Sequence, residues 1–211
     1  MSVLVKGGVL MIPILLCSII AVAIIIERLA QIRRVKRENQ RFLEAIRGRI
    51  RKGNLTEAIT ICEEFPTSPL SDIFLDALRH VPMGEQRTRE AIVDAGEREA
   101  EELEKHVGGL ATIAGGAPLL GFLGTVLGMI QAFQRIEALG GNVDASVLAG
   151  GIWAALLTTA AGLTVAVPTF FAHNYILSRI HSEILEMEDR SRELMILLTT
   201  GEDRLGTEGE R

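Results

Sequence analysis

The chain lacks any ionisable side chain between His106 and Arg135, and again between Asp144 and His173. Runs of that length without a charge are excluded as solvated surface helices and read instead as membrane spans. Cysteine is nearly absent. Cys17 lies in an apolar run and Cys62 in a polar region, so a bridge would cross environments and free thiols are expected. No Cys/His spacing resembles a zinc site, and His80, His106, His173 and His181 are scattered as surface or interfacial residues rather than ligands. An excess of basic charge is also missing: the formal net charge of -5 argues against nucleic acid as a partner. No nucleophile–base pair, Gly-rich phosphate loop or pair of carboxylates stands at a plausible site, so an enzyme is not expected.

What is present is apolar and charged sequence kept apart. Hydrophobic residues make up 48% and charged residues 23%, so the two are segregated, as in a polytopic membrane protein with a sizeable aqueous portion. The first apolar run, Val9 to Ile26, makes about 27 Å of helix, enough to cross a hydrocarbon core of ~30 Å. It is longer than a signal-peptide core and lacks a small-x-small cleavage site, and bulky Leu16 before Cys17 is wrong for lipidation. The run is expected to stay attached. Arg28, Arg33, Arg34, Lys36, Arg37, Arg41, Arg47, Arg49, Arg51 and Lys52 follow it, whereas only Lys6 precedes it. That asymmetry places residues 1–27 as a periplasmic N-terminus with the first span, and the basic segment in the cytoplasm.

Residues 28–107 read as aqueous and helical. "NLTEAITICEEF" starts at a cap on Asn54 and ends before Pro66; "SPLSDIFLDALRHV" stops before Pro82. "EQRTREAIVDAGEREAEELEKHVG" alternates charge like a solvated helix, with Ile92, Gly96, Leu103 and Val107 near one face. The second span, 108–136, and the third, 147–177, are joined by a short periplasmic turn at 137–146 and form an antiparallel hairpin. Both are expected to extend into water as continuous rods. A cytoplasmic helix at 178–200 carries an apolar stripe of Ile180, Ile184, Met187, Leu194 and Leu198, and 201–211 reads as a disordered tail. The fold class is therefore an all-α integral membrane protein with three transmembrane helices, the second and third extending into a cytoplasmic helical region.

Within the spans, Gly121, Gly124, Thr125 and Gly128 fall on one helix face, and Gly151, Ala155, Thr158, Thr159, Gly162 and Ala166 share another. Small faces let helix backbones approach closely in lipid, so these residues are expected to serve helix packing or a pore wall. Thr112, Thr158 and Thr164 each fit a hydroxyl bonded back to its own helix. Thr125 and Thr159, one at the middle of each span, also fit a hydroxyl ring around a narrow polar conduit.

"APLLGFLGTVLGMIQAF" and "GIWAALLTTAAGLTVAVP" resemble the paired signature segments of the MotA/TolQ/ExbB proton channel family. "KGGVLMIPILLCSIIAVAIIIERL", ending in Glu27-Arg28, is similar to the first span of its ExbB/TolQ branch. The resemblance implies a pentamer in the bacterial inner membrane with its C-terminus cytoplasmic. That ring would surround the transmembrane helices of an ExbD- or TolR-like single-span partner and pass motion to a TonB- or TolA-like protein. Protons are the implied coupling ion, and no cofactor or metal is expected. Family pore threonines fall on Thr125 and Thr159, with Thr158 and Ala154 beside them on the implied proton pathway. The spans themselves offer no titratable group, so the proton-binding acid must come from the partner. Where the family commonly places a glutamate in the third span, this chain has Ala154. A passive channel or transporter subunit and a membrane scaffold remain as alternatives, and nutrient import, envelope maintenance and gliding are all open as outputs.

Overall fold

The computed structural model describes residues 8–50, 55–138 and 145–208, with side chains at 8–47, 55–138 and 149–198. Their regular structure is helical throughout: α1 (Met11–Ile50), α2 (Leu55–Glu64), α3 (Pro69–His80), a 3-10 turn (Val81–Met83), α4 (Glu85–Glu104), α5 (Val107–Ala138) and α6 (Ala145–Glu208). Three of these stretches are long and apolar enough to cross a membrane. The chain divides into two units, Met1–Arg28 with His106–Ile176, and Leu29–Lys105 with Leu177–Arg211.

The first unit inverts the usual pattern of a water-soluble core. Its outer surface carries Leu119, Phe122, Trp153, Leu156, Phe170 and Phe171, each more than half exposed, while Ala117, Gly121, Gly124, Ala132, Ala155 and Thr158 are buried beside larger residues such as Ile14 and Leu110. A surface of that kind has lipid as its natural solvent. Pro118 and Pro168 lie inside α5 and α6 and remove one backbone donor apiece, which a helix held by neighbours tolerates.

The second unit has an ordinary apolar core. Phe42 of α1 is fully buried, with Phe65 and Phe74 edge-on to it at ring-centre distances of 5.9 and 5.3 Å. Ile46, Leu70, Ile73 and Leu78 are buried in the same unit, and of the expected apolar stripe of α6 Ile180, Met187 and Leu194 are buried while Ile184 and Leu198 are half-buried. Local chemistry sets the short helices. Ser68 caps α3, its hydroxyl accepting the Ser71 N–H at 3.3 Å with Pro69 at the first turn. Asn39 holds the same corner, its Oδ1 accepting from Ser68 Oγ at 2.7 Å and from the Leu70 N–H at 3.3 Å. Gly84 starts α4 at φ +97, a backbone conformation that suits glycine.

Two expectations are corrected. The rod leading into the second span is broken: Lys105 is extended, and His106 takes φ +65, the only positive φ outside glycine among the described residues. Two residues in those conformations cannot continue the α-helical hydrogen-bond ladder, so α4 and α5 are separate helices. The third span, by contrast, is the continuous rod expected, since α6 runs unbroken into the helix that carries the apolar stripe. It also continues through Glu208, so most of the segment expected as a disordered tail is helical. Glu, Asp, Arg and Leu there are adequate helix formers, and each glycine costs only about 1 kcal/mol. The Asn54 cap, residues 139–144 of the turn and residues 209–211 lie outside the described residues.

Candidate pore wall in the helical hairpin

The small faces of α5 and α6 meet each other. A methyl placed on Gly121 would stand 3.0 Å from the Thr158 carbonyl oxygen and 3.0 Å from Thr159 Cα. On Gly124 it would collide with the Thr158 side chain, on Gly128 with Ala155 Cβ at 2.9 Å, and on Gly151 with Ala132 Cβ at 2.6 Å. On Gly162 it would lie 2.5 Å from the carbonyl oxygen of Ala117. The glycines thus set the interhelical distance within one chain, and the packing half of their expected role is the one their contacts display.

The hydroxyls sort into two kinds. Thr112, Thr125 and Thr164 donate back to Gly108, Phe122 and Ala160 carbonyls at 3.0, 2.6 and 2.8 Å. Thr159 Oγ1 instead reaches across the seam to the Gly121 carbonyl at 3.0 Å, an acceptor shared with Thr158 Oγ1 at 3.4 Å. Thr158 also donates to Ala155 O at 2.7 Å and is 2% exposed. It is therefore enclosed within its own hairpin, and its bond to the Ala155 carbonyl is the back-bonded arrangement expected of it. Its side chain occupies the gap that Gly124 leaves by having no Cβ. Thr125, Thr159 and Ala154 keep intermediate exposure.

Sequence reasoning missed one cluster. Arg28, 4% exposed, donates from Nη2 to Glu27 Oε1 at 2.6 Å and lies 3.4 Å from His106 Nδ1. Glu27 and Arg28 were visible as a pair, but nothing in the spacing brings a residue 78 positions later to them.

A glycine-sealed hairpin without charge, beside a third apolar helix, defines a multi-pass all-α membrane protein. The chain belongs to the MotA/TolQ/ExbB proton channel family, whose sequence model matches residues 66–189, and falls in its ExbB/TolQ branch. It is 33% identical over 188 residues to an ExbB homolog of Methanothermobacter thermautotrophicus, covering 87% of this chain and 64% of that protein. It is 37% identical over 154 residues to the biopolymer transport protein ExbB of Xanthomonas campestris, covering 64% of this chain and 60% of that one. Similarity to the Tol-Pal system protein TolQ of Haemophilus influenzae is 41% over 87 residues, 40% of this chain and 37% of TolQ. The chain thus spans less than two thirds of the length of these relatives.

Proposed function

We propose that this chain is the ring-forming subunit of a proton-driven motor in the bacterial inner membrane. In this reading five copies enclose the transmembrane helices of an ExbD- or TolR-like partner, and the motion passes to a TonB- or TolA-type periplasmic protein. One observation carries it: two family-signature helices, free of ionisable groups, hold threonines at mid-span with Thr125 and Thr159 still partly accessible. A conduit that cannot itself bind a proton needs a guest acid, and partly exposed hydroxyls can solvate one. The basic flank after the first span supports an N-terminus outside and a C-terminus inside.

The test is proton flux in vesicles containing the chain and its partner. Thr125→Val and Thr159→Val should abolish flux and leave the oligomer intact. Thr158→Val should leave flux in place, because that side chain is enclosed at 2% exposure, and Thr159→Ser, which keeps the hydroxyl bonded to the Gly121 carbonyl, should keep the flux that Thr159→Val loses. Equal flux in the doubly substituted and parent complexes defeats the pore assignment. Ala154→Glu should raise partner-dependent flux without altering assembly.

The sealed seam favours a second reading as a membrane scaffold, since the small faces are already used within one chain. A scaffold conducts no protons with or without the partner, and its mass does not depend on one.

A further inference from the structure

The break between α4 and α5 holds a side-chain cluster that neither helix packing nor the proposed pore uses. Glu27, Arg28 and His106 all belong to the first unit. His106 Nδ1 lies 3.4 Å from Arg28 Nη2 and 3.5 Å from Glu27 Oε1, while Arg28 and Glu27 are joined at 2.6 Å. The His106 carbonyl accepts the Gly109 N–H at 3.0 Å, so this residue also closes the first turn of α5. Its φ of +65 is unusual for a residue with a Cβ, so contacts must hold it there.

A neutral and a charged imidazole do different things at this site. With Nδ1 unprotonated, the ring accepts from Arg28 and fastens the start of α5 to the end of the first span. With Nδ1 protonated, that bond is impossible. The ring becomes a second cation 3.4 Å from the guanidinium, and its new N–H points to Glu27 as acceptor. The hydrogen bond from Arg28 holds the Glu27 carboxyl below its ordinary range, so the acceptor is ionised in both states. Lys105, the charge next to it in the chain just beyond α4, is paired with Glu102 at 3.1 Å. Glu27 and Arg28 are therefore the groups that face the ring from α1.

We propose that Glu27, Arg28 and His106 form a proton-operated latch on the first turn of the second span, fastened by neutral His106 and exchanged to Glu27 on acidification. That it samples the cytoplasm rests on the orientation proposed above; its titration does not. An acidifying cytoplasm would unfasten the entry to α5, a feedback suited to a protein that admits protons.

Nitrogen-15 NMR of the full chain in lipid nanodiscs, titrated from about pH 8 to about pH 5, tests this over the range in which histidine changes charge. At the alkaline end the His106 proton should sit on Nε2. On acidification Nδ1 should gain a proton, and the Arg28 guanidinium and Gly109 amide should shift along the same curve. His106→Asn tolerates the left-handed backbone and cannot titrate, so both secondary shifts should vanish in it. A neutral ring protonated at Nδ1, or a Gly109 step that survives in His106→Asn, overturns the latch. Because no partner or proton flux enters this measurement, an intact titration in a complex without flux would sink the motor alone, and the reverse result the latch alone.

Discussion

Each glycine of the seam is opposed by a different kind of atom, and that difference sets what a methyl would cost. At Gly162 the obstacle is the Ala117 backbone oxygen, which cannot move without shifting α5. At Gly124 it is the Thr158 side chain, whose Cβ would remain 2.6 Å away even after truncation to alanine. Gly162→Ala and Gly124→Ala should each destabilise the hairpin by about 1–3 kcal/mol, as overpacking does, measured by denaturant unfolding in detergent. Thr158→Ala should recover only part of the Gly124→Ala loss. Gly116→Ala is the control: nothing stands within 4 Å, so helix propensity alone should make it neutral or slightly stabilising. In the second unit, burial pushes the Cys62 thiol up to about 12. Its alkylation at neutral pH should therefore track unfolding, and rapid labelling of the native chain would contradict its enclosed position.

Between elements, the second unit depends on a few buried polar groups whose partners come from different helices. Asn39→Ala would leave the Ser68 hydroxyl and Leu70 amide without their acceptor, and should cost about 1–3 kcal/mol in chemical unfolding. Glu183 of α6 is 7% exposed, with Lys36 of α1 at 3.8 Å. Burial raises its proton affinity and Lys36 only partly opposes this; burial likewise raises Asp72 and Glu99. A folded-state value above the unfolded one gives stability that is full below the ordinary carboxylate range and lost as pH rises through the folded value. Glu183→Gln should consequently stabilise the chain relative to the parent at neutral pH and lose that advantage in acid; an advantage that grows in acid contradicts the sign. Much of this unit was legible in the sequence. Pro66 and Pro82 marked helix ends, and the stripe from Ile180 to Leu198 marked a face whose Ile180, Met187 and Leu194 are buried, because each rule is local. The His106 break was not, since histidine, though enriched at positive φ, takes it too seldom for one residue to mark a turn. Nor could the pattern show that the small faces of α5 and α6 close on each other. A small face states how near a neighbour comes, not which neighbour it is.

For the whole molecule, orientation decides which end of the hairpin meets which compartment, and with it the meaning of both the threonines and the His106 cluster. The argument for an outer N-terminus rests on ten basic residues after the first span against one before it. Arg33 and Arg34 are exposed along α1, where basic side chains favour anionic headgroups on one side of the membrane. In the proposed orientation Ala138, which ends α5, belongs to the periplasmic side, and Ser182 of α6 to the cytoplasmic side. Both positions are exposed, so a cysteine at either should be reachable by reagent. In a chain with Cys17 and Cys62 replaced by serine and alanine, a membrane-impermeant maleimide added to intact spheroplasts should label Ala138→Cys strongly. Ser182→Cys should react only after permeabilisation. The opposite pattern would turn the hairpin over, leave the basic flank unexplained by charge asymmetry, and move the His106 latch to the outer face, where it would read periplasmic rather than cytoplasmic acidity.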